Sequence, residues 1–458
     1  GVDWDSLGRV SGDDLDFDTV TGAFPDKDVS LSGTTVQDKT VTLTSSYTGS
    51  DSANYDITDQ VEDQAKINQR PLSFLATKTY DGTTTITQSE DSAALGSISG
   101  DSDSGLVGSE TLNFSVTSNS KDVSDANKFI STITLYDGSN DGMAGNYIVP
   151  SSNLGSYDSG LNAVVINKKT VSLSASKVYD GQTQLSGTDV TITTGIGSET
   201  LSYSGATSSD KDVASSNKFI DAITLADATD GSGGLIANYQ LPALNSANAP
   251  VTITVKALTM SGLTSTDKEY DGTTTAVVSG SPGSLQGAIT AGSGSNSDGK
   301  PYSGDTVSLT GTAVGTFNDK DVADATSVSF SGVSLTGSEA ENYSLTAHPD
   351  ASHSITPKPM TISGLTAYDN TYNGGTSVYI WNTNIVMSGL ITIGGVADDV
   401  SRDSGWNGTM ADAHVGSGKS VTITSSYSGV DVGNYSITDQ TSTTVDISPR
   451  EVKLSASR

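Results

Sequence analysis

Through much of this chain, apolar residues alternate one-for-one with serine and threonine. Val41-Thr42-Leu43-Thr44-Ser45, Ser131-Thr132-Ile133-Thr134-Leu135 and Val421-Thr422-Ile423-Thr424-Ser425 share this period of two. In an extended chain, that period buries one face and leaves the other in water. Thr, Val, Ile and Tyr suit a pleated, half-buried strand. Clusters of Gly, Asn, Asp and Ser break the runs every 8 to 15 residues or so, roughly the rhythm of short strands and turns. No stretch keeps a helical period for three turns, and one short helical turn is expected near Ser124-Asp125-Ala126-Asn127. The pattern predicts an all-β protein.

The turns recur in a fixed order. A Tyr-[Asp/Asn]-Gly motif occurs at Tyr80-Asp81-Gly82, Tyr179-Asp180-Gly181, Tyr270-Asp271-Gly272 and, altered, Tyr372-Asn373-Gly374. Asn-Tyr pairs occur at Tyr55, Tyr147, Tyr239, Tyr343 and Tyr435. Lys-Asp-Val occurs at Lys27, Lys121, Lys211 and Lys320, with Ala413-His414-Val415 in the corresponding place later on. A final landmark is Ile-x-x-[Lys/Arg], ending at Arg70, Lys169, Lys256, Lys358 and Arg450. Self-similarity at this period means an array of small domains. The boundaries read as a partial repeat 1–69, full repeats 70–168, 169–255, 256–357 and 358–449, and the start of another at 450–458. Val452 to Ser457 copies the alternation of Val171 to Ser176, so the chain is expected to be a section of a longer array. No Gly/Ser linker separates the repeats, which predicts stiff junctions.

Each landmark has a structural reading. In Tyr-Asp-Gly, glycine allows a positive φ, and aspartate can accept a bond from the backbone two residues on. The tyrosine ring would enter a core with its hydroxyl seeking a partner. In Asn-Tyr, the tyrosine and the apolar residue two positions later share a face, loosely like a tyrosine corner. If Lys-Asp-Val lies on a strand, its Lys and Asp point to opposite faces. A competing reading of this motif is a Lys–Asn isopeptide crosslink, with Ala413 as a counter-example. Asn342-Tyr343-Ser344 and Asn434-Tyr435-Ser436 match a glycosylation sequon, weakly given their strand-opening context.

Composition narrows the chemistry. The formal charge is −30, unsuited to nucleic acid phosphates or anionic lipid surfaces. Cysteine is absent, which removes disulfides and thiol chemistry, and the three histidines fall in two repeats. No apolar run reaches the roughly 20 residues of a membrane span. Asp-rich turns make Asp137, Asp141, Asp227 and Asp230 candidate Ca²⁺ ligands, though none fits an EF-hand loop and solvated turns are the simpler reading. No catalytic motif is present, so no enzymatic activity is expected. The most divergent stretch, Trp381 to Trp406 with Tyr379 nearby, could offer rings to sugars; burial in a core or between repeats is the preferred reading.

Taken together, the repeated Tyr-Asp-Gly, Lys-Asp-Val, Asn-Tyr and Ile-x-x-[Lys/Arg] landmarks resemble the MBG and YDG domains of large secreted bacterial adhesins, including filamentous-haemagglutinin-like exoproteins. The resemblance spans nearly the whole chain and is least complete over 358–449. It implies an elongated tandem array of small β-sandwich-like or β-grasp-like repeats, secreted to the bacterial surface. The implied role is a stalk or fibre segment serving cell-surface or cell–cell attachment and biofilm matrix assembly. The partners would be neighbouring repeats, copies of the same protein or matrix polysaccharide, with no nucleic acid and no membrane insertion. A carbohydrate-binding array and a subunit of a self-assembling filament are the alternatives.

Overall fold

In the computed structural model, which describes residues 2–88, 92–97, 99–151, 154–381, 383–403 and 407–455, regular structure is almost entirely short strands. The protein is a mostly-β repeat array. The chain divides into two units, the first comprising residues 1–175, 184–209 and 217–251, the second residues 176–183, 210–216 and 252–458. The division runs through the repeat 169–255, whose Tyr-Asp-Gly turn and Lys-Asp-Val loop group with the repeat that follows.

Within the first unit, the basic residue Arg70 opens a strand that serves two partners in turn. Arg70–Pro71 runs parallel to Tyr147–Ile148. Ser73–Thr79 then lies between Val164–Asn167, parallel, and Ser92–Gly96, antiparallel. A second sheet sets Leu112–Ser118 between Ile130–Asp137 and Thr85–Ile86. The alternation read from sequence is what divides inside from outside: in Ser73–Thr79, Phe74, Ala76 and Lys78 are buried while Leu75 and Thr79 are exposed. Leu72, Leu112, Tyr147 and Val149 form one core of this repeat.

The second unit repeats the plan. Lys256–Ser261 runs parallel to Tyr343–Thr346 and Lys358–Ser363 parallel to Tyr435–Thr438. Lys268–Glu269 pairs in parallel with Ile355–Thr356, and Asn370–Thr371 with Ser442–Ser448. These parallel pairs make the sheets mixed, unlike an all-antiparallel sandwich. A single residue, Pro357, separates Ile355–Thr356 from the next repeat's first strand. With no slack at that point, the cores of 256–357 and 358–449 merge into one cluster containing Phe317, Val328, Ile355, Ile380 and Val421.

Three expectations are corrected. Ser124 to Asn127 forms a turn, not helix; Asn127 takes φ 53°, and Lys128 Nζ occupies the Val123 and Asp125 carbonyls that a helix would use. Helical turns instead precede the Asn-Tyr tyrosines, as 3-10 turns at Ser52–Asn54, Ala144–Asn146, Ile236–Asn238, Ala340–Asn342 and Val432–Asn434. Lys-Asp-Val sits on a loop, so its neighbouring side chains converge: Lys121 Nζ lies 3.0 Å from Asp122 Oδ1. Finally, Tyr379 and Trp381 are 50% and 41% exposed, because the core of strand Ser377–Trp381 is supplied by the alternate residues Val378 and Ile380. Trp406 lies outside the described residues.

The junction between repeats as the candidate functional site

The landmarks that look separate in sequence meet in space. One repeat supplies the Tyr-Asp-Gly turn and Lys-Asp-Val loop, and the next supplies the Asn-Tyr pair and an acidic residue.

The turn is built locally. Asp81 Oδ1 accepts the Thr83 amide at 2.9 Å, and Asp271 Oδ1 accepts the Thr273 amide at 2.9 Å. Gly82, Gly181 and Gly272 have φ of 79°, 78° and 76°. The turn also carries a lysine two residues before the tyrosine, which the sequence reading missed although it recurs as Lys78, Lys177 and Lys268. Its ammonium binds the turn aspartate, at 2.9, 2.7 and 2.7 Å respectively. Lys78 Nζ also reaches the Thr83 and Thr85 carbonyls, which satisfies a fully buried charge. Glycine has a second role here, since the following repeat rests on it: a Cβ would meet Ile196 at Gly82, Ala291 at Gly181 and Ile393 at Gly272, each under 3.0 Å.

From this turn the tyrosine projects into the junction. Tyr80, Tyr179 and Tyr270 are buried, with rings edge-on to Tyr239, Tyr343 and Tyr435 at 5.4, 5.3 and 5.5 Å. The Tyr80 and Tyr239 hydroxyls donate to the two oxygens of Glu199, at 2.8 and 2.7 Å. Tyr179 and Tyr343 likewise converge on Asp305. Lys121 and Lys211 donate to the Tyr80 and Tyr179 hydroxyls at 3.2 and 3.1 Å. At the junction of Tyr270 with Tyr435, Asp398 accepts from Tyr435, while Lys320 turns to Asp321 and Asp431.

An asparagine clamp completes the junction. Asn238 Nδ2 donates to Asp122 and its Oδ1 accepts the Val123 amide, both at 2.8 Å. Asn342 makes the same pair with Asp212 and Val213, Asn434 with Asp321 and Val322, and Asn146 with Asp28 and Val29. Only an amide both donates to the carboxylate and accepts from the backbone in this geometry.

A family model for the YDG domain matches residues 64–154, 254–351 and 356–444, together more than half of the chain. The chain belongs to the YDG domain family. No curated protein matches it. Residues 358–444 of the altered repeat, including Asn373 in place of the motif aspartate, fall within the matched residues. Residues 169–253 lie outside them, but the repeat they belong to has the same turn, clamp and tyrosine pair as its YDG neighbours.

The junction accounts for other sequence candidates. Asn342 and Asn434 are buried with both amide atoms bonded, which closes the sequons and leaves neither amide free for a crosslink to lysine. The carboxylates considered for Ca²⁺ serve their own turns: Asp137 accepts the Ala144 amide, Asp227 the Ile236 amide, and Asp230 the Thr200 hydroxyl and Ser232 amide. Those bonds hold Asp230 down at about 2. Asp141 sits in the same turn as Asp137, at φ 64°. Among the described residues no group of three or more His, Asp or Glu is placed to hold a metal ion, and no helix is long and apolar enough to cross a membrane.

Junction electrostatics set two pH limits. The Lys320 ammonium, helped by the Asn434 amide, holds Asp321 below the usual carboxylate range. Burial, then the Asp398 carboxylate, pushes Tyr270 up to about 12. A depressed carboxyl stabilises the fold above its unfolded value of about 4 and loses that contribution as pH falls through the folded value. A raised phenol stabilises it below about 10 and loses that as pH climbs through the folded value. Melting temperature measured against pH should therefore form a plateau that falls on the acid side below about 4 and on the alkaline side above about 10. A profile flat through both edges would contradict this.

Proposed function

We propose that this YDG array is a structural segment of a secreted bacterial adhesin, without catalytic activity, which spaces and presents binding regions for attachment between cells, surfaces and biofilm matrix. The observation that supports it is the junction: the same tyrosines, carboxylate and asparagine clamp recur from repeat to repeat. In such an array, stability is the sum of repeat cores and nearest-neighbour contacts. An acidic, cysteine-free chain suits an exposed extracellular surface.

The test is functional. The array would be displayed on a bacterial surface between an anchor and a known binding module. Attachment should persist with the full array and fall in steps as repeats are deleted. Attachment indifferent to removing every repeat would sink the proposal.

One observation favours a second reading, contact with neutral polysaccharide. On the outer face of the repeat 358–449, the Tyr368 and Trp381 rings stack at 5.8 Å and 15°, with Tyr379 exposed nearby. Flat exposed rings of this kind suit sugar faces. Retention on a polysaccharide affinity gel, lost in Trp381→Ala, would support that reading, and no retention would leave the rings without a ligand role.

A further inference from the structure

We infer that each full repeat is a force-bearing module, in which tension along the chain is carried in shear by parallel strands that join the repeat's first segment to its last. This stands whether or not the array belongs to an adhesin.

The path of a load follows from chain order. A pull through the chain enters a repeat at its first segment and leaves at its last. In 70–168 those segments lie side by side and parallel, with Ala76 opposite Val164 and Thr79 opposite Asn167. In 256–357, Lys256 to Thr259 run parallel to Tyr343 to Thr346, and Lys268–Glu269 to Ile355–Thr356. In 358–449, Lys358 to Thr361 pair in this way with Tyr435 to Thr438, and Asn370–Thr371 with Ile447 and Ser448. When entry and exit strands are parallel, the two points of pull lie at opposite ends of the pair. Tension then slides one strand along the other, and the evenly spaced bonds between them share the load. An antiparallel hairpin pulled at its open ends yields bond by bond instead.

The Tyr-Asp-Gly motif closes each of these pairs. The amides of Tyr80, Tyr179, Tyr270 and Tyr372 donate to the carbonyls of Asn167, Thr254, Thr356 and Ser448, at 2.9, 2.8, 2.9 and 2.9 Å. Each acceptor is the last residue of its repeat's final strand. The turn lysine then ties the loaded strand to its own turn: Lys268 Nζ holds Asp271 and the Thr273 and Thr275 carbonyls, at 2.7, 2.7 and 2.9 Å. Along the pair in 70–168, Phe74, Ala76, Lys78, Val164 and Ile166 are buried, which shields its bonds from water and strengthens them. Only Pro357 lies between the exit strand of 256–357 and the entry strand of the next repeat, so little chain extends before the next pair takes the load.

Single-molecule force spectroscopy tests this, and the absence of cysteine makes engineered thiol handles unique. Ala257→Cys with Thr356→Cys loads the parallel pairs of 256–357 in shear. Ser308→Cys with Thr336→Cys loads the open ends of the hairpin formed by Ser308–Phe317 and Val328–Thr336, in the same repeat. All four positions are exposed, so both variants should melt with the parent chain. Forced unfolding follows the barrier met along the pulled direction, so the shear pair should need about twice the force of the hairpin or more. Its rupture should release roughly 300 Å of chain. Equal forces, or a stronger hairpin, would overturn the inference. Lys268→Met should lower the shear force and leave the hairpin force unchanged. A fall in both alike would overturn the assignment of the load to this pair.

Discussion

Replacing Tyr270 by alanine is expected to cost the second unit about 3–5 kcal/mol, the range for deleting a buried aromatic side chain, and to split its cooperative unfolding. Tyr270 is 1% exposed and belongs to the same core cluster as Tyr435, Phe317 and Ile380. It comes from the turn of the repeat 256–357, while its ring partner Tyr435 comes from 358–449. Truncation therefore opens a cavity at the point where two repeats share a core. A core mutation inside one repeat would lower stability and leave the two coupled. Scanning calorimetry and hydrogen exchange separate these cases: Tyr270→Ala should let 256–357 and 358–449 unfold at different temperatures. A variant that melts as one lower transition would show that coupling runs elsewhere.

Asn434→Asp is the second large effect, about 2–3 kcal/mol near neutral pH. It keeps the shape of the side chain but exchanges the donating Nδ2, 2.8 Å from Asp321 Oδ1, for an oxygen. Two acceptors then face each other in a site where the native asparagine is 3% exposed. Losing a charge-assisted bond and desolvating an unpaired group account for that magnitude. Lys320 lies close enough to Asp321 to offset part of it. The variant should regain part of the loss as pH is lowered toward the carboxyl range, where one of the facing groups takes up a proton and can donate again. Urea unfolding at neutral and mildly acidic pH measures this. An equal loss at both values would mean that the clamp does not act through its hydrogen bonds.

The YDG landmarks show how far local reading carries. The Tyr-Asp-Gly turn was legible because its causes are local: positive φ at Gly82, Gly181 and Gly272, and an aspartate bonding the amide two residues on. The shared face of Tyr147 and Val149 was legible for the same reason, since side chains alternate along a strand. The opposite-face geometry considered for Lys-Asp-Val does not occur because the chain makes a loop there, and a loop lets Lys121 fold onto Asp122. Lys78 carried a signal, its fixed place two residues before the tyrosine, which only the buried ammonium makes meaningful. Tyr379 and Trp381 were misjudged because burial of large rings is a general tendency, whereas on this strand Val378 and Ile380 fill the core.

Sequence by itself determined the β class, the repeat length, the turn chemistry and the absence of any slack between repeats, since each follows from neighbours along the chain. Which repeat each landmark serves was decided only by tertiary structure. Tyr80 and Glu199 are 119 residues apart, and Asp212 and Asn342 are 130 apart, yet each pair is bonded. A periodic sequence looks the same whether a landmark closes its own repeat or grips the next one. Parallel pairing of the first strand with the Asn-Tyr strand settles the difference, because it brings each asparagine to the preceding repeat's loop.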